Sequence, residues 1–197
     1  MPVMRYYLAL FLLMFFPGGM LYWFSVHPFI GFWRRIGLHA ALAVNGALIA
    51  LVAAAVYLAR RPLLSIEYGD RLPLAIAGGA LLAASVAMRA VVTSRLTKKI
   101  LMGLPELAPE SHGVPLLTDG IYARLRHPRY AQVAVALLGG ALLMNYLAAY
   151  VTCAAGLVAL RLIVPIEERE LRQRFGQAYD EYCARTPRFV PRFRRPR

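Results

Sequence analysis

The sequence predicts an all-α, polytopic integral membrane protein with about five transmembrane helices and a cytosolic C-terminal helix. Three observations carry that expectation. Of the 197 residues, 59% are hydrophobic, too many for an ordinary soluble domain of this size. The apolar residues fall in runs close to the roughly 20 that a helix needs to cross a bilayer core of about 30 Å. Arginines crowd the ends of those runs, as expected of residues that face lipid headgroups.

Five runs qualify. The first extends from about Tyr6 to Phe24, the second from Ile36 to Ala59 and the third from Pro73 to Thr93. The fourth, Tyr130 to Met144, and the fifth, Tyr146 to Pro165, are separated by little more than Asn145, which predicts a tight helical hairpin. A cleaved signal peptide competes with the first span, because Arg5 precedes the apolar run. No small-x-small cleavage site follows, and Trp23 resembles an interfacial anchor, so retention is favoured. Pro17-Gly18-Gly19 is expected to kink that helix, and Gly78-Gly79 and Gly139-Gly140 are expected to serve close helix contacts. The chain divides into a three-span region over 1–93, a connection over 94–129 and a hairpin with an amphipathic helix and basic tail over 130–197, all in one membrane domain.

Charge sets the orientation. The formal charge of +13 does not form a stripe on a polar domain, which argues against nucleic acid as a partner and for membrane lipids. The connection after span three carries Arg95, Lys98, Lys99, Arg124, Arg126 and Arg129, and the tail after span five is richer still. Both are therefore expected in the cytosol; the loops between the early spans are nearly balanced in charge. Arginine is abundant and lysine almost absent, a bias that points to a bacterial source and an inner membrane. Two cysteines, Cys153 and Cys183, imply neither a disulfide framework nor a metal cluster. His27 and His39 lack partners at metal-ligand spacing and read as interfacial packing residues.

Within the spans chemistry is scarce, limited to Asn45 and to Arg89, which is expected to snorkel to the interface. After Thr118 the picture changes. Thr118-Asp119-Gly120 is a turn signal, and Tyr122 to Tyr130 then leads into span four. Pro128 suits the first turn of a helix, which puts His127 at the N-cap. A helix start beside Arg126 and His127 can bind a carboxylate or phosphate; an anchor of arginines and tyrosines in the headgroups explains the segment equally well. The stretch from Glu167 to Tyr182 extends span five, with Leu171, Phe175, Tyr179 and Tyr182 at helical spacing. Glu167 and Glu168 differ by about 100° around the helix, so one of them at most faces a shared pocket. The competing reading is a solvated pair balanced by Arg169 and Arg172.

Taken together, Gly120, Tyr122, Arg126, His127, Pro128 and Tyr130, then Glu167, Glu168, Leu171, Phe175, Gly176, Tyr179 and Tyr182, then Pro191-Arg192-Phe193, form an ordered pattern. It resembles the isoprenylcysteine carboxyl methyltransferase and phospholipid methyltransferase superfamily over about residues 89 to 193. Two positions depart from it: Ile121 stands where Pro is common, and Gln132 where Gly is common, so Gln132 is expected either to narrow the groove or to contact the ligand.

The resemblance implies S-adenosylmethionine as cofactor, a lipophilic methyl acceptor entering from the bilayer, and no metal. It implies that Arg126, His127 and the helix start at Pro128 bind the anionic end of the cofactor and that Glu167 or Glu168 bonds its ribose or amino group. Tyr122, Tyr130, Tyr179 and Tyr182 complete the expected cofactor site, where aromatic faces favour the sulfonium. Arg161 and Arg192 are candidates to orient an anionic acceptor, and His127 or Glu167 to take a proton from an amine. A membrane reductase of the sterol or steroid type, using NADPH, is the alternative; a non-catalytic scaffold is the third reading. The link from Gly103 to Thr118 reads as a surface connection in preference to a lid.

Overall fold

The computed structural model of the chain describes residues 2–94 and 115–190. Eight helices are defined there: α1 Pro2–Val26, α2 Ile30–Ile36, α3 Leu38–Leu58, α4 Arg60–Leu63, α5 Leu72–Thr93, α6 Pro128–Met144, α7 Leu147–Phe175 and α8 Gln177–Arg185. A 3-10 turn over Gly120–Ala123 precedes α6. Four of these helices, α1, α3, α5 and α7, are long and apolar enough to cross a membrane. Helix α6 is apolar but has 17 residues, or about 25 Å of rise, a little short of the bilayer core. An apolar helix thus stands at each of the five expected spans, and α7 runs on through Pro165 as one helix of 29 residues. Its apolar part ends near Pro165, and the charged turns from Glu167 onward project past the lipid core.

Helix α1 runs continuously from Pro2 to Val26 with Pro17 inside it. Gly18 lies against Ile49 of α3, where a Cβ would come within 3.1 Å of the isoleucine methyl. The tightest contact in the bundle joins α5 to α6. A Cβ on Gly78 would sit 2.6 Å from the carbonyl oxygen of Gly139, and a Cβ on Gly139 would sit 2.9 Å from that of Gly78. Two backbones touch there because neither residue has a side chain, the usual device for close helices in lipid. Of the neighbouring glycines, Gly79 meets nothing within 4 Å and Gly140 meets only the end of Met144.

The hairpin between α6 and α7 turns on Asn145, which adopts the left-handed conformation that asparagine tolerates (φ 56°). Loop residues after α4 clasp this turn. The N–H of Leu147 bonds the carbonyl of Ile66, that of Tyr68 bonds the carbonyl of Asn145, and the Asn145 side-chain amide donates to Gly69. Arg5 of α1 completes the clasp, its side chain only 4% exposed. It donates to the carbonyl of Met144 at 2.9 Å and pairs with Asp70 at 2.6 Å and Glu67 at 3.1 Å. The start of α1, the loop before α5 and the α6–α7 turn therefore share one end of the bundle. The end of α1, the start of α6 and the extension of α7 share the other, where His27 meets Glu170 at 2.7 Å. These contacts supply the alternation of the early spans that charge left nearly tied.

Candidate functional site

At the second end, the local sequence folds as its turn signals require. His127 is the N-cap residue of α6, and Pro128, with no N–H to satisfy, occupies the first helical position. Gly176 breaks α7 with a positive φ of 56°, a conformation that a side chain would strain, and α8 folds back beneath the preceding turn. Tyr179 and Tyr182 on α8 are thereby buried, and the Tyr182 hydroxyl donates to the carbonyl of Tyr122 at 2.7 Å.

The center of the arrangement is Glu168, whose side chain is fully buried. Its carboxylate accepts two hydrogen bonds from Arg188, at 3.0 Å from Nε and 2.6 Å from Nη2. It accepts another from His127 Nε2 at 3.2 Å, and Arg126 Nη2 lies 3.3 Å away. Because an ionised carboxylate only accepts, the His127 proton on this side belongs to Nε2. A buried carboxylate is tolerated when paired in this way, and loss of one partner from such a group costs several kcal/mol.

Above this network lies a half-open cleft with a volume of about 140 Å³. Its polar wall is formed by Arg126, His127, Arg129, Glu167 and Arg174, and tyrosines 122, 130, 179 and 182 face it as well. Leu171 and Phe175 of α7, Trp23 of α1 and Pro115 to Leu117 of the connection supply apolar cover. Three buried polar atoms at the cleft make no hydrogen bond within the protein: Arg126 Nε, the Tyr179 hydroxyl and Glu167 Oε2, the last 3.8 Å from His127 Nδ1. Unpaired buried donors and acceptors are costly, and a donor and an acceptor together at one cleft mark a place where a ligand completes the pairing. Burial pushes the Tyr122 hydroxyl up to about 12, with the Arg129 charge opposing and Glu167 reinforcing the shift. Burial likewise raises Tyr182, and raises Tyr179 together with the negative charge of Glu168. All three phenols are neutral donors at physiological pH.

Most residues singled out from the sequence meet here, with several corrections. Glu167 and Glu168 divide as their 100° separation requires, but the divided roles are now distinct: Glu167 faces the cleft, while both oxygens of Glu168 are held within the protein. Just before α6, the N–H groups of Arg126 and His127 donate to the carbonyls of Pro187 and Arg188. Gln132 neither lines the cleft nor narrows it; it donates to Ser85 of α5 at 2.7 Å. Arg161 is exposed and is not part of the lining. It precedes Glu167 by six positions, about 240° round the helix, so the two cannot share a face. Arg192, with Pro191 and Phe193, lies outside the described residues.

The tail holds Pro-Arg-Phe twice; the first copy, Pro187-Arg188-Phe189, lies at the site, and the second is outside the described residues. Arg188 clamps Glu168, and the ring of Phe189 lies 6.1 Å from that of His127. Pro115, Leu116 and Leu117 border the cleft, so the described end of the connection serves the site and is more than a surface link; residues 103–114 of the expected lid lie outside the described residues. His27 is a hydrogen-bond partner of Glu170 as well as a packing residue.

Comparison with known proteins bears on the same part of the chain. The phospholipid methyltransferase family model matches residues 74–178, just over half of the chain, from α5 to the first turn of α8. Protein-S-isoprenylcysteine O-methyltransferase B of Arabidopsis thaliana is 36% identical over 80 residues, which cover 39% of this chain. The match also covers only 39% of that relative's length. No solved structure matches. The pairing of the His127-Pro128 helix start with Glu168 falls wholly within the matched segment, and by that match the chain belongs to the phospholipid methyltransferase family.

Proposed function

We propose that the protein is an integral-membrane methyltransferase that uses S-adenosylmethionine to methylate a lipophilic acceptor. One observation carries the reading: the unpaired Arg126 Nε and Glu167 Oε2 face a cleft built over the His127–Glu168–Arg188 network, inside the family segment. A donor and an acceptor so placed fit a zwitterionic amino-acid group, and the facing tyrosines fit an adenine ring and a cationic sulfur. S-adenosylmethionine supplies a methyl group on a sulfonium, and its transfer forms the bond from acceptor to methyl carbon as the carbon–sulfur bond breaks.

The residues of the chain supply position and dryness. Arg126 Nε donates to a carboxylate, and Glu167 accepts from an ammonium or a ribose hydroxyl. Glu168 touches neither; it fixes the His127 ring and the Arg126 side chain from below. Tyr182 ties α8 to the turn before α6, which keeps the aromatic side of the cleft in place. Leu116, Leu117, Leu171 and Phe175 exclude water from a reaction in which no acid or metal is required. For an acceptor amine, the proton would pass to His127 or Glu167. The cleft would open to the cytosol of a bacterial cell, as the arginines of the connection and tail favour.

Calorimetric titration of the full chain in detergent tests the reading. S-adenosylmethionine is expected to bind and NADPH not to; the reverse result establishes the reductase alternative in its place. Mass spectrometry of a lipid extract incubated with the protein and isotope-labelled cofactor then identifies the methylated acceptor.

A further inference from the structure

The ring of His127 stands between two glutamates, with one carboxylate at each nitrogen. Glu168 takes Nε2 at 3.2 Å, and Glu167 Oε2 lies 3.8 Å from Nδ1. The two contacts differ in kind. Burial opposes the charge of Glu168, but the hydrogen bonds from His127 and Arg188 and the charge of Arg126 hold its carboxyl down to about 2. Glu168 is therefore a permanent acceptor at neutral pH, and the proton on Nε2 is fixed.

At the other nitrogen no bond forms. A separation of 3.8 Å is too long for one, and Glu167 Oε2, though buried, makes no hydrogen bond within the protein. With one proton, on Nε2, the ring turns a lone pair at Nδ1 toward a carboxylate that also only accepts. Two acceptors so placed repel. A second proton on Nδ1 relieves the contact, and so does a donor carried by a ligand. Both use the same lone pair, so each excludes the other.

The surrounding groups leave that choice to His127. Arg126 and Arg188 are turned to Glu168. Tyr122, Tyr179 and Tyr182 face the cleft as neutral phenols. Arg129 of α6 lies on the Trp23 ring and Arg174 of α7 on that of Phe175, while Tyr130 packs against the imidazole at 5.7 Å. His27 of α1 is bonded to Glu170. Among the described residues, His127 and Glu167 are the pair that titrates at this gap.

We propose that His127 Nδ1 and Glu167 form a seat for a primary ammonium, and that an ammonium entering it drives one proton off the imidazole. An ammonium carries several N–H donors and serves both acceptors at once, whereas a hydroxyl has one and leaves an acceptor unpaired. The proton balance closes: His127 passes from two ring protons to one, the ligand nitrogen keeps its three, and the released proton goes to solvent. The cationic ligand thus competes with protons, and its affinity falls as pH falls. The inference deepens the proposed function, on which it rests for the identity of the ammonium as that of the amino-acid end of S-adenosylmethionine.

Calorimetry of the full chain in detergent, in buffers of low and high ionisation enthalpy between roughly pH 5.5 and 7.5, reads the released proton. Three probes separate the groups. S-adenosylmethionine and S-adenosylhomocysteine share the ammonium and differ in the sulfonium; methylthioadenosine has neither. Both ammonium ligands should release close to one proton at the acid end of the range, with affinity rising by up to about tenfold per unit of pH and then levelling. Methylthioadenosine should release none, at constant affinity. In the unliganded chain, nuclear magnetic resonance of isotope-labelled histidine should show a ring protonated on both nitrogens at acid pH, which S-adenosylhomocysteine returns to the Nε2–H form. His127→Gln keeps an N–H for Glu168 and has no proton to give, so it should flatten the pH dependence; if that variant does not fold, the histidine signal of the unaltered chain decides. Binding of S-adenosylhomocysteine without proton release, a ring still doubly protonated in the complex, or the same release by methylthioadenosine overturns the seat alone. Failure of all three probes to bind overturns the S-adenosylmethionine reading, and the seat with it.

Discussion

The bundle carries a buried charged cluster at each end, and the two differ in what they leave unsatisfied. At one end Arg5, Glu67, Asp70 and Asn145 close a turn around a cavity of about 20 Å³, with the donor Arg5 Nη2 left unpaired and no unpaired acceptor beside it among the described residues. At the other, Glu168 draws in Arg188, His127 and Arg126, and a cleft seven times larger opens over them with Arg126 Nε and Glu167 Oε2 unpaired. In both clusters an ion pair joins segments far apart in sequence. Only the second combines the pairing with space and with complementary unused atoms, so burial of charge by itself marks cohesion, and burial beside a lined cleft marks chemistry.

The comparison breaks first at Glu168. Glu168→Gln leaves Arg126 and Arg188 without their carboxylate, a loss on the order of 3 kcal/mol, at the lower end for a broken buried pair because Arg188 is half-exposed. Cofactor affinity measured by calorimetry should fall by about 100-fold, and the unfolding temperature should fall with it. Glu167→Gln removes a charge whose Oε2 accepts no hydrogen bond within the protein. Affinity should drop about tenfold or somewhat more, with the unfolding temperature unchanged. Equal affinity in both variants and the unaltered protein would remove these glutamates from the site.

Arg5→Ala sharpens the contrast from the other end. Asp70 and Glu67 are partly exposed, so the lost ion pairs count for little, and the lost bond to Met144 counts for about 1 kcal/mol. Stability should fall by about 1–2 kcal/mol, while the folded fraction binds cofactor as before; a shift in affinity matching that of Glu167→Gln would mean the two ends are coupled. The smallest effect is expected of Tyr182→Phe, at about 1 kcal/mol for one buried hydrogen bond. Burial raises this phenol, so its contribution is complete below the free tyrosine value of about 10 and is lost as pH rises through the folded value. Tyr122, at about 12, follows the same sign. Alkaline unfolding should therefore set in above pH 10 in the unaltered chain and depend less on pH in the variant.

Spans, hairpin and helix start were legible because each has a local cause. Apolar length specifies α1, α3, α5 and α7, and Asn145 and Pro128 each carry the conformation their position needs. The division of Glu167 from Glu168 was legible for the same reason, since helical geometry fixes it. Contacts across the bundle were not. Nothing local distinguishes Arg188 from the other arginines of the tail, or Trp23 from an interfacial anchor; both gain their place from helices that approach one another in three dimensions. The polar partner of Gln132 was hidden likewise, because Ser85 lies on a different helix.

The contact of Gly78 with Gly139 has a practical consequence for anyone sorting variants of this protein. Gly139 lies 12 residues along α6 from His127, about 18 Å along the helix axis. Any side chain added at Gly78 must lever α6 away from α5, and a straight helix passes that tilt to its far tip, where His127 reaches Glu168. Such a variant would be inactive while remote from every ligand-facing atom. A screen that scores activity alone would file it with substitutions at the cleft, and a measured distance between the helix ends would tell them apart.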